Sequence, residues 1–144
     1  MKVKRMDHVS INIVDLEKVT EFFVDIGLKV NAKWEMDGKF LDTVVGLDGI
    51  KTECIGLGIP DGQTWIELVK YHSPHSDNTI PPIFVNSPGI RHICFTVKDI
   101  DAIVEKLHLK GFETFSDILQ YEYSYKLCYV KGPEGIIVEL AEEV

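Results

Sequence analysis

Two histidines and two glutamates occur at equivalent places in a sequence pattern that this chain contains twice. His8 and His92 each open a short alternating segment, and Glu67 and Glu139 each stand alone in an apolar segment. Imidazole nitrogens and carboxylate oxygens are ligands for divalent metal ions. A carboxylate in an apolar strand is costly to bury unless it is paired, hydrogen-bonded or bound to a metal. These residue types in this pattern therefore indicate a divalent metal site.

The repeat extends well beyond the four side chains. Residues 7–13 read DHVSINI, and residues 91–97 read RHICFTV. The same spacing separates the members of three pairs: His8 and His92, Asp15 and Asp99, Gly27 and Gly111. Because a histidine, a helix start and a helix stop keep their spacing without an insertion, the pattern indicates duplication of one unit.

Each unit predicts the element order β-α-β-β-β. In both units an alternating strand is followed by apolar residues at helical spacing, with an aspartate as N-cap and a glycine as stop. Strands are predicted at residues 4–14, 29–34, 54–59 and 64–71, and again at 90–97, 112–116, 123–130 and 135–142. We therefore predict an α+β fold of two modules, residues 1–71 and 89–144, joined by a proline-rich linker at residues 72–88.

Strand alternation predicts which face of the sheet carries the polar residues. Val9, Ile11 and Ile13 would pack against the helix, so His8 points to the opposite face. The same parity applies to His92, Glu67 and Glu139, and it predicts that all four side chains converge on the concave side of the sheet. Two glutamates in one cavity repel each other, and a divalent cation removes that penalty.

The composition is that of an acidic globular protein. Apolar residues make up 45% of the chain, charged residues 26%, and the formal net charge is −8. The acidity argues against nucleic acid or anionic membranes as partners, and no apolar run approaches the ~20 residues needed to span a bilayer. Three cysteines without a Cys-x-x-Cys pair, Cys54, Cys94 and Cys128, are interpreted as reduced core thiols. Without a signal-peptide pattern, we expect a cytoplasmic protein.

The whole chain resembles the vicinal oxygen chelate superfamily, which includes glyoxalases, extradiol dioxygenases, methylmalonyl-CoA epimerases and fosfomycin or bleomycin resistance proteins. The resemblance rests on the paired units, on their DHV and RHI openings, and on the segment GPEGIIVEL at residues 132–140. It implies a curved mixed sheet with a central cavity, and metal ligands on the first and last strands of each module. The implied ligands are His8, Glu67, His92 and Glu139.

A His-Glu-His-Glu ligand set resembles bacterial glyoxalase I. The epimerases usually have glutamine at the position of Glu67, the fosfomycin enzymes have histidine there, and a dioxygenase uses two histidines and one carboxylate for iron. The resemblance implies a glyoxalase-like lyase or isomerase acting on a small carbonyl compound. In the reaction that this implies, a thiohemiacetal of a 2-oxoaldehyde loses a proton to Glu139 and gives a metal-stabilised enediolate. Glu67 acts as the partner acid/base. The mirrored assignment of the two glutamates stays open.

Several alternatives also stay open. The chain is similar to extradiol dioxygenase-like and epimerase enzymes, and to metal-free small-molecule binding or resistance proteins. Mixed imidazole and carboxylate ligation does not choose among Ni²⁺, Co²⁺, Zn²⁺, Mn²⁺ and Fe²⁺. The expected partners are a small-molecule substrate and a second copy of the chain in a homodimer, with modules pairing within one chain or between two. Trp65 shares the predicted face of Glu67, where a substrate cavity and core packing explain it almost equally well.

Overall fold

The computed structural model describes residues 1–60, 62–76 and 84–144. The chain divides into two compact units, residues 1–79 and 80–144. The predicted linker, residues 72–88, includes residues 77–83, which lie outside the described residues. Among the described residues, no helix is both long and apolar enough to cross a bilayer.

The first unit is a four-stranded mixed sheet with two helices. In chain order its elements are β1 (His8–Asn12), α1 (Leu16–Ile26), β2 (Lys29–Asp37), α2 (Lys39–Val45), β3 (Lys51–Gly58) and β4 (Trp65–Ser73). The strand order is β1-β4-β3-β2. β1 runs parallel to β4, and the other neighbours are antiparallel. The first and last strands of the unit are therefore adjacent in space.

Helix α1 forms where the apolar spacing predicts it. The Asp15 carboxylate accepts a hydrogen bond from the backbone N–H of Lys18 at 3.0 Å, and Gly27, with φ of 125°, ends the helix. Phe22 and Phe23 are almost fully buried and meet edge to face at 5.4 Å. Truncating a phenylalanine buried to this degree typically costs about 3–5 kcal/mol of stability. Because α1 packs against one face of the sheet, that face is part of the hydrophobic core.

Helix α2 was not predicted from the sequence. It has only seven residues and none of them is buried, so it lacks the apolar stripe that identifies a helix. Its end is fixed by polar contacts instead. The Asp42 carboxylate accepts hydrogen bonds from the backbone N–H groups of Gly49 and Ile50, both at 2.9 Å, and these bonds lower the pKa of Asp42.

The second unit repeats the mixed sheet with shorter outer strands. Its elements are β5 (His92–Thr96), α3 (Ile100–Leu109), β6 (Glu113–Thr114), β7 (Leu119–Tyr121), β8 (Tyr125–Lys131), a 3₁₀ turn (Pro133–Gly135) and β9 (Ile137–Glu143). The strand order is β5-β9-β8-β6, with β7 paired to β8, and β5 is parallel to β9. Strand β7 was not predicted, and the strand predicted at residues 123–130 begins at Tyr125. The predicted α+β class is confirmed in both units.

The start of α3 is capped from a distant part of the chain. Asp99 adopts a left-handed backbone with φ of 66°, and its carboxylate accepts a hydrogen bond from the backbone N–H of Ala102. The backbone N–H groups of Asp99 and Ile100 donate to the two carboxylate oxygens of Glu142, at 2.8 and 3.0 Å. Glu142 on β9 thus joins the last strand of the unit to its helix.

Candidate metal site

In the first unit, the parallel pairing of β1 with β4 places His8 and Glu67 on one face. The register pairs His8 with Trp65 and Ser10 with Glu67. The Ser10 hydroxyl donates a hydrogen bond to Glu67 Oε1 at 3.1 Å, and the His8 ring lies 4.5 Å from the Trp65 ring, centroid to centroid. Residues two apart on neighbouring strands are within side-chain reach of each other. The prediction that His8 and Glu67 lie on the same face of the sheet is confirmed.

The orientation of the His8 ring is set by Asp7. His8 Nδ1 lies 2.8 Å from Asp7 Oδ2, and Arg5 donates to Asp7 Oδ1 at 2.6 Å. The hydrogen bond with His8 is the main reason that the pKa of Asp7 lies below its ordinary value. Because an ionised carboxylate only accepts hydrogen bonds, Nδ1 is the donor, and in the neutral form of the ring Nε2 then carries the lone pair. Metal-binding histidines are commonly held by a carboxylate in this way.

In the second unit, the predicted histidine and glutamate are in direct contact. His92 Nε2 lies 3.2 Å from Glu139 Oε2, on adjacent parallel strands. The Glu139 side chain is 19% exposed, and that of His92 is 42% exposed. Two ligand atoms that each bind one ion at about 2.0–2.2 Å lie roughly 3–3.4 Å apart in a tetrahedral or octahedral shell. The observed separation is that of an ion pair, and it also leaves the two atoms close enough to bind one ion together.

Two residues that the sequence analysis did not assign to the site surround Glu139. Cys94 pairs with Glu139 across the parallel ladder, and Tyr129 pairs with it from β8. Burial and then the Glu139 charge raise the pKa values of both Cys94 and Tyr129. The Tyr129 ring also meets the His92 ring edge-on at 5.1 Å. The Glu139 carboxylate therefore lies close to a thiol and a phenol, and its charge favours their protonated forms.

The placement of Cys94 corrects the interpretation of all three cysteines as core thiols. Cys54 and Cys128 are buried, but Cys94 is exposed. Burial raises the pKa of the Cys128 thiol to about 11. The signal for Cys94 was present in the sequence, because it lies two residues after His92 and so shares the face of that histidine.

The two units differ in the side chains around their equivalent ligands. Ser10 and Cys94 hold the same place in the repeat, and each pairs across the parallel ladder with the glutamate of its own unit. Opposite the glutamate on the neighbouring antiparallel strand, however, the first unit has Gly56 and the second has Tyr129. The predicted ligand types are thus the same in both units, whereas their surroundings differ.

The side chains present fit a divalent metal ion in donor chemistry. Within each unit, one imidazole and one carboxylate lie on the same face of adjacent strands, and both ligand types suit first-row transition metals. In the part of the chain that the structure describes, no group of three or more His, Cys, Asp or Glu side chains forms a ready-made metal site. The structure brings the predicted ligands together as two pairs, and convergence of both pairs on one ion stays a prediction.

Comparison with known proteins places this pair of units in a family. A sequence profile of the Glyoxalase/Bleomycin resistance protein/Dioxygenase superfamily matches residues 5–140. The crystal structure of a glyoxalase family protein from Bacillus cereus superposes with a TM-score of 0.94 at 38% sequence identity, covering 100% of this chain and 97% of that one.

Two relatives with named activities also match nearly the whole chain. Mitochondrial methylmalonyl-CoA epimerase of Mus musculus is 28% identical, over 98% of this chain and 74% of its own length. Lactoylglutathione lyase of Schizosaccharomyces pombe is 23% identical, over 99% of this chain. The chain spans about half the length of that lyase, 49%.

Proposed function

The chain belongs to the Glyoxalase/Bleomycin resistance protein/Dioxygenase superfamily, and from that premise we propose that it is a metal-dependent, glyoxalase-like lyase or isomerase acting on a small carbonyl compound. One observation carries the proposal. The contact of His92 Nε2 with Glu139 Oε2, at 3.2 Å, has the separation of neighbouring metal ligands. The paired His8 and Glu67 of the first unit support it, because they supply the same two ligand types on one face.

In this proposal His8, Glu67, His92 and Glu139 hold one divalent ion, chosen from Ni²⁺, Co²⁺, Zn²⁺, Mn²⁺ and Fe²⁺. When bound, such an ion stabilises the negative charge that develops on two neighbouring substrate oxygens as the adjacent carbon loses its proton. Side chains of the protein position the ligands and transfer the protons. Asp7 fixes the tautomer of His8, so that Nε2 is the nitrogen available as a ligand.

The proton is carried by the two glutamates. We assign Glu139 as the base that removes the proton from the carbon next to the carbonyl, because its carboxylate is mostly shielded from water. Tyr129 and Cys94 flank that carboxylate on the two neighbouring strands. Glu67, whose carboxylate accepts a hydrogen bond from the Ser10 hydroxyl, takes the proton of the hydroxyl group on the first carbon and delivers it to the neighbouring carbon, while Glu139 gives its proton to the oxygen there. The role of each glutamate rests on the side chains that contact it.

An epimerase is the second candidate, and the relationship to methylmalonyl-CoA epimerase supports it. Epimerisation uses the same proton removal next to a carbonyl and differs in the face to which the proton returns. Glu67 favours the glyoxalase-like activity, since the epimerases usually have glutamine at that position. Deuterium exchange into a 2-methyl acyl thioester in D₂O, without hemithioacetal turnover, would identify the epimerase instead.

The decisive experiment measures metal content and turnover on the same sample. Protein purified without chelator is expected to hold a stoichiometric divalent metal and to isomerise the hemithioacetal of a 2-oxoaldehyde and a thiol. His8→Ala and His92→Ala should lose both properties, while His108→Ala, on an exposed part of α3, should keep them. Retained ligand binding with neither metal nor turnover would favour a metal-free binding protein, and oxygen uptake with catechols would favour a dioxygenase.

We also propose that the chain forms a homodimer in the cytoplasm. Members of the superfamily pair their modules within one chain or between two, and exposed apolar side chains on α2, among them Phe40 and Val44, are consistent with a further contact. The exposed thiol of Cys94 is consistent with a reducing compartment. Light scattering on purified protein should give twice the chain mass of 16.3 kDa, and a monodisperse monomer would overturn the dimer.

A further inference from the structure

Strand β3 presents two glycines on the face that carries His8 and Glu67. Gly56 lies opposite Glu67 in the ladder, and Gly58 follows two residues later on the same face. A Cβ atom added at Gly56 would lie 3.3 Å from Cζ3 of Trp34 and 3.4 Å from Cζ3 of Trp65. The space that a side chain would occupy at Gly56 is therefore filled by the edges of two indole rings.

Trp65 is held firmly in this position. Its ring lies beside that of His8, with centroids 4.5 Å apart and planes 31° apart. Trp34 meets Trp65 edge-on, with centroids 6.0 Å apart. Both tryptophans are only half-buried, so ring surface remains exposed next to His8 and Glu67.

The second unit has a different arrangement around its own ligand pair, where the Tyr129 ring meets the His92 ring edge-on. Tyr129 stands where the first unit has Gly56, and Ile137, which is 4% exposed, stands where the first unit has Trp65. If Trp65 only filled a duplicated core position, a buried apolar residue such as Ile137 would be expected at that place in both units. The exposed surface of two indole rings next to His8 and Glu67 is the arrangement expected where a substrate has one flat end.

We propose that Trp65 and Trp34 form an aromatic subsite that binds a planar, unsaturated group attached to the two neighbouring oxygens of the substrate. This inference rests on the proposed function, because it takes His8 and Glu67 to lie at the reacting end. The substrate class is thereby narrowed to carbonyl compounds that bear an aryl or conjugated substituent. Stacking on an aromatic surface changes affinity by roughly 2- to 10-fold.

The test compares two 2-oxo acids that share the same pair of oxygens. Phenylglyoxylate and pyruvate differ in carrying a phenyl or a methyl group, and calorimetry on Zn²⁺-loaded protein gives the ratio of their affinities. Trp65→Leu and Trp34→Leu should each lower the preference for phenylglyoxylate by roughly 2- to 10-fold, with little change for pyruvate. An unchanged ratio in both variants would overturn the subsite.

Two further variants separate loss of the subsite from loss of the fold. Trp65→Phe keeps a ring and should retain most of the preference. Gly56→Ala keeps both tryptophans but places a methyl group against their edges, and it should lower the preference as Trp65→Leu does. Phe40→Leu changes an aromatic residue on α2 that is 82% exposed, and it should leave the ratio unchanged. If Phe40→Leu lowers the preference for phenylglyoxylate and Trp65→Leu does not, the proposal is contradicted.

Failure of the metal site can be recognised separately from failure of the subsite. Metal analysis reports the first directly. Saturation-transfer NMR on the phenyl protons of phenylglyoxylate, in EDTA-treated protein, reports the second without any metal. A phenyl signal that disappears in Trp65→Leu supports the subsite even if no metal is bound, and a signal that is absent from the native protein or unaffected by the substitution overturns it.

Discussion

The Asp7 carboxylate lies 2.8 Å from Nδ1 of His8 and is the group that determines which ring nitrogen faces the candidate site. At the equivalent place in the second unit stands Arg91, which cannot accept a hydrogen bond. The two histidines, although equivalent in the repeat, are therefore held by different means. His8 depends on its neighbour in sequence, whereas His92 is positioned by Glu139 and by the ring of Tyr129.

Replacing Asp7 with asparagine should weaken metal binding without removing a ligand. The amide of asparagine can also donate, so the tautomer of His8 is no longer fixed. We expect metal affinity to fall about 10- to 100-fold, as is usual when the carboxylate behind a ligating histidine is lost. Competition with a chelating indicator measures this. Asp48→Asn, at an exposed turn, is the matched control, and equal affinities in the two variants would contradict the role given to Asp7.

The thiols should differ sharply in reactivity in the folded, metal-free protein. Cys94 is exposed, whereas Cys54 and Cys128 are buried and their pKa values are raised chiefly by burial. Ellman's reagent should therefore modify one thiol in the native protein and three after denaturation. Because the pKa of Cys94 is also raised, its modification should accelerate as pH rises above neutrality.

Cys94→Ser is the control for this measurement. It also tests whether the two units tolerate the same residue at this equivalent position. The variant introduces the residue type that the first unit has at Ser10 and places a hydroxyl group beside Glu139. It should abolish the fast reaction while retaining turnover. Equal reaction rates for all three native thiols would contradict the burial of Cys54 and Cys128.

How much of this arrangement the sequence could predict depends on the range of the interactions. The face shared by His8 and Glu67 follows from local alternation, because side chains in a strand must alternate. Helix α1 follows from the spacing of Val19, Phe22 and Phe23. Helix α2 could not be predicted in this way, since it has no buried stripe and depends on the bonds from Gly49 and Ile50 to Asp42.

Contacts between distant parts of the chain also could not be predicted from the sequence. Nothing local distinguishes Glu142 from Glu143 in the acidic end of β9, yet only Glu142 is seen to cap α3. Likewise, Tyr129 has no feature in the sequence that identifies it as a neighbour of Glu139. That contact depends on the antiparallel register of β8 with β9, which a single sequence does not specify.

Glu142 should contribute stability at neutral pH and lose that contribution in acid. Its pKa is lowered mainly by the hydrogen bonds from the Asp99 and Ile100 N–H groups, so it lies below the unfolded value near 4.5. A carboxylate with a lowered folded pKa stabilises the fold above the unfolded pKa, and the effect is lost as pH falls through the folded pKa. Glu142→Gln should lower the urea midpoint at pH 7.

The pH dependence of that difference is the sharper part of the test. At a pH well below 4.5 the midpoints of the native protein and Glu142→Gln should approach each other, because the native carboxyl is then protonated. Glu143→Gln, at the exposed neighbouring residue, should leave the midpoint unchanged at both pH values. A difference for Glu142→Gln that is as large in acid as at neutrality would mean that the charge is not what caps α3.

The two glutamates can be distinguished by what remains after each loses its charge. Glu139→Gln and Glu67→Gln should both be assayed with bound metal quantified, so that lost proton transfer is not mistaken for lost metal. We expect turnover per bound metal to fall by about 10²–10⁴-fold in Glu139→Gln, the usual contribution of a general base, and by less in Glu67→Gln. Glu105→Gln, exposed on α3, should match the native protein. A larger loss in Glu67→Gln would reverse the two roles, and full turnover in both variants would remove proton transfer from these residues altogether.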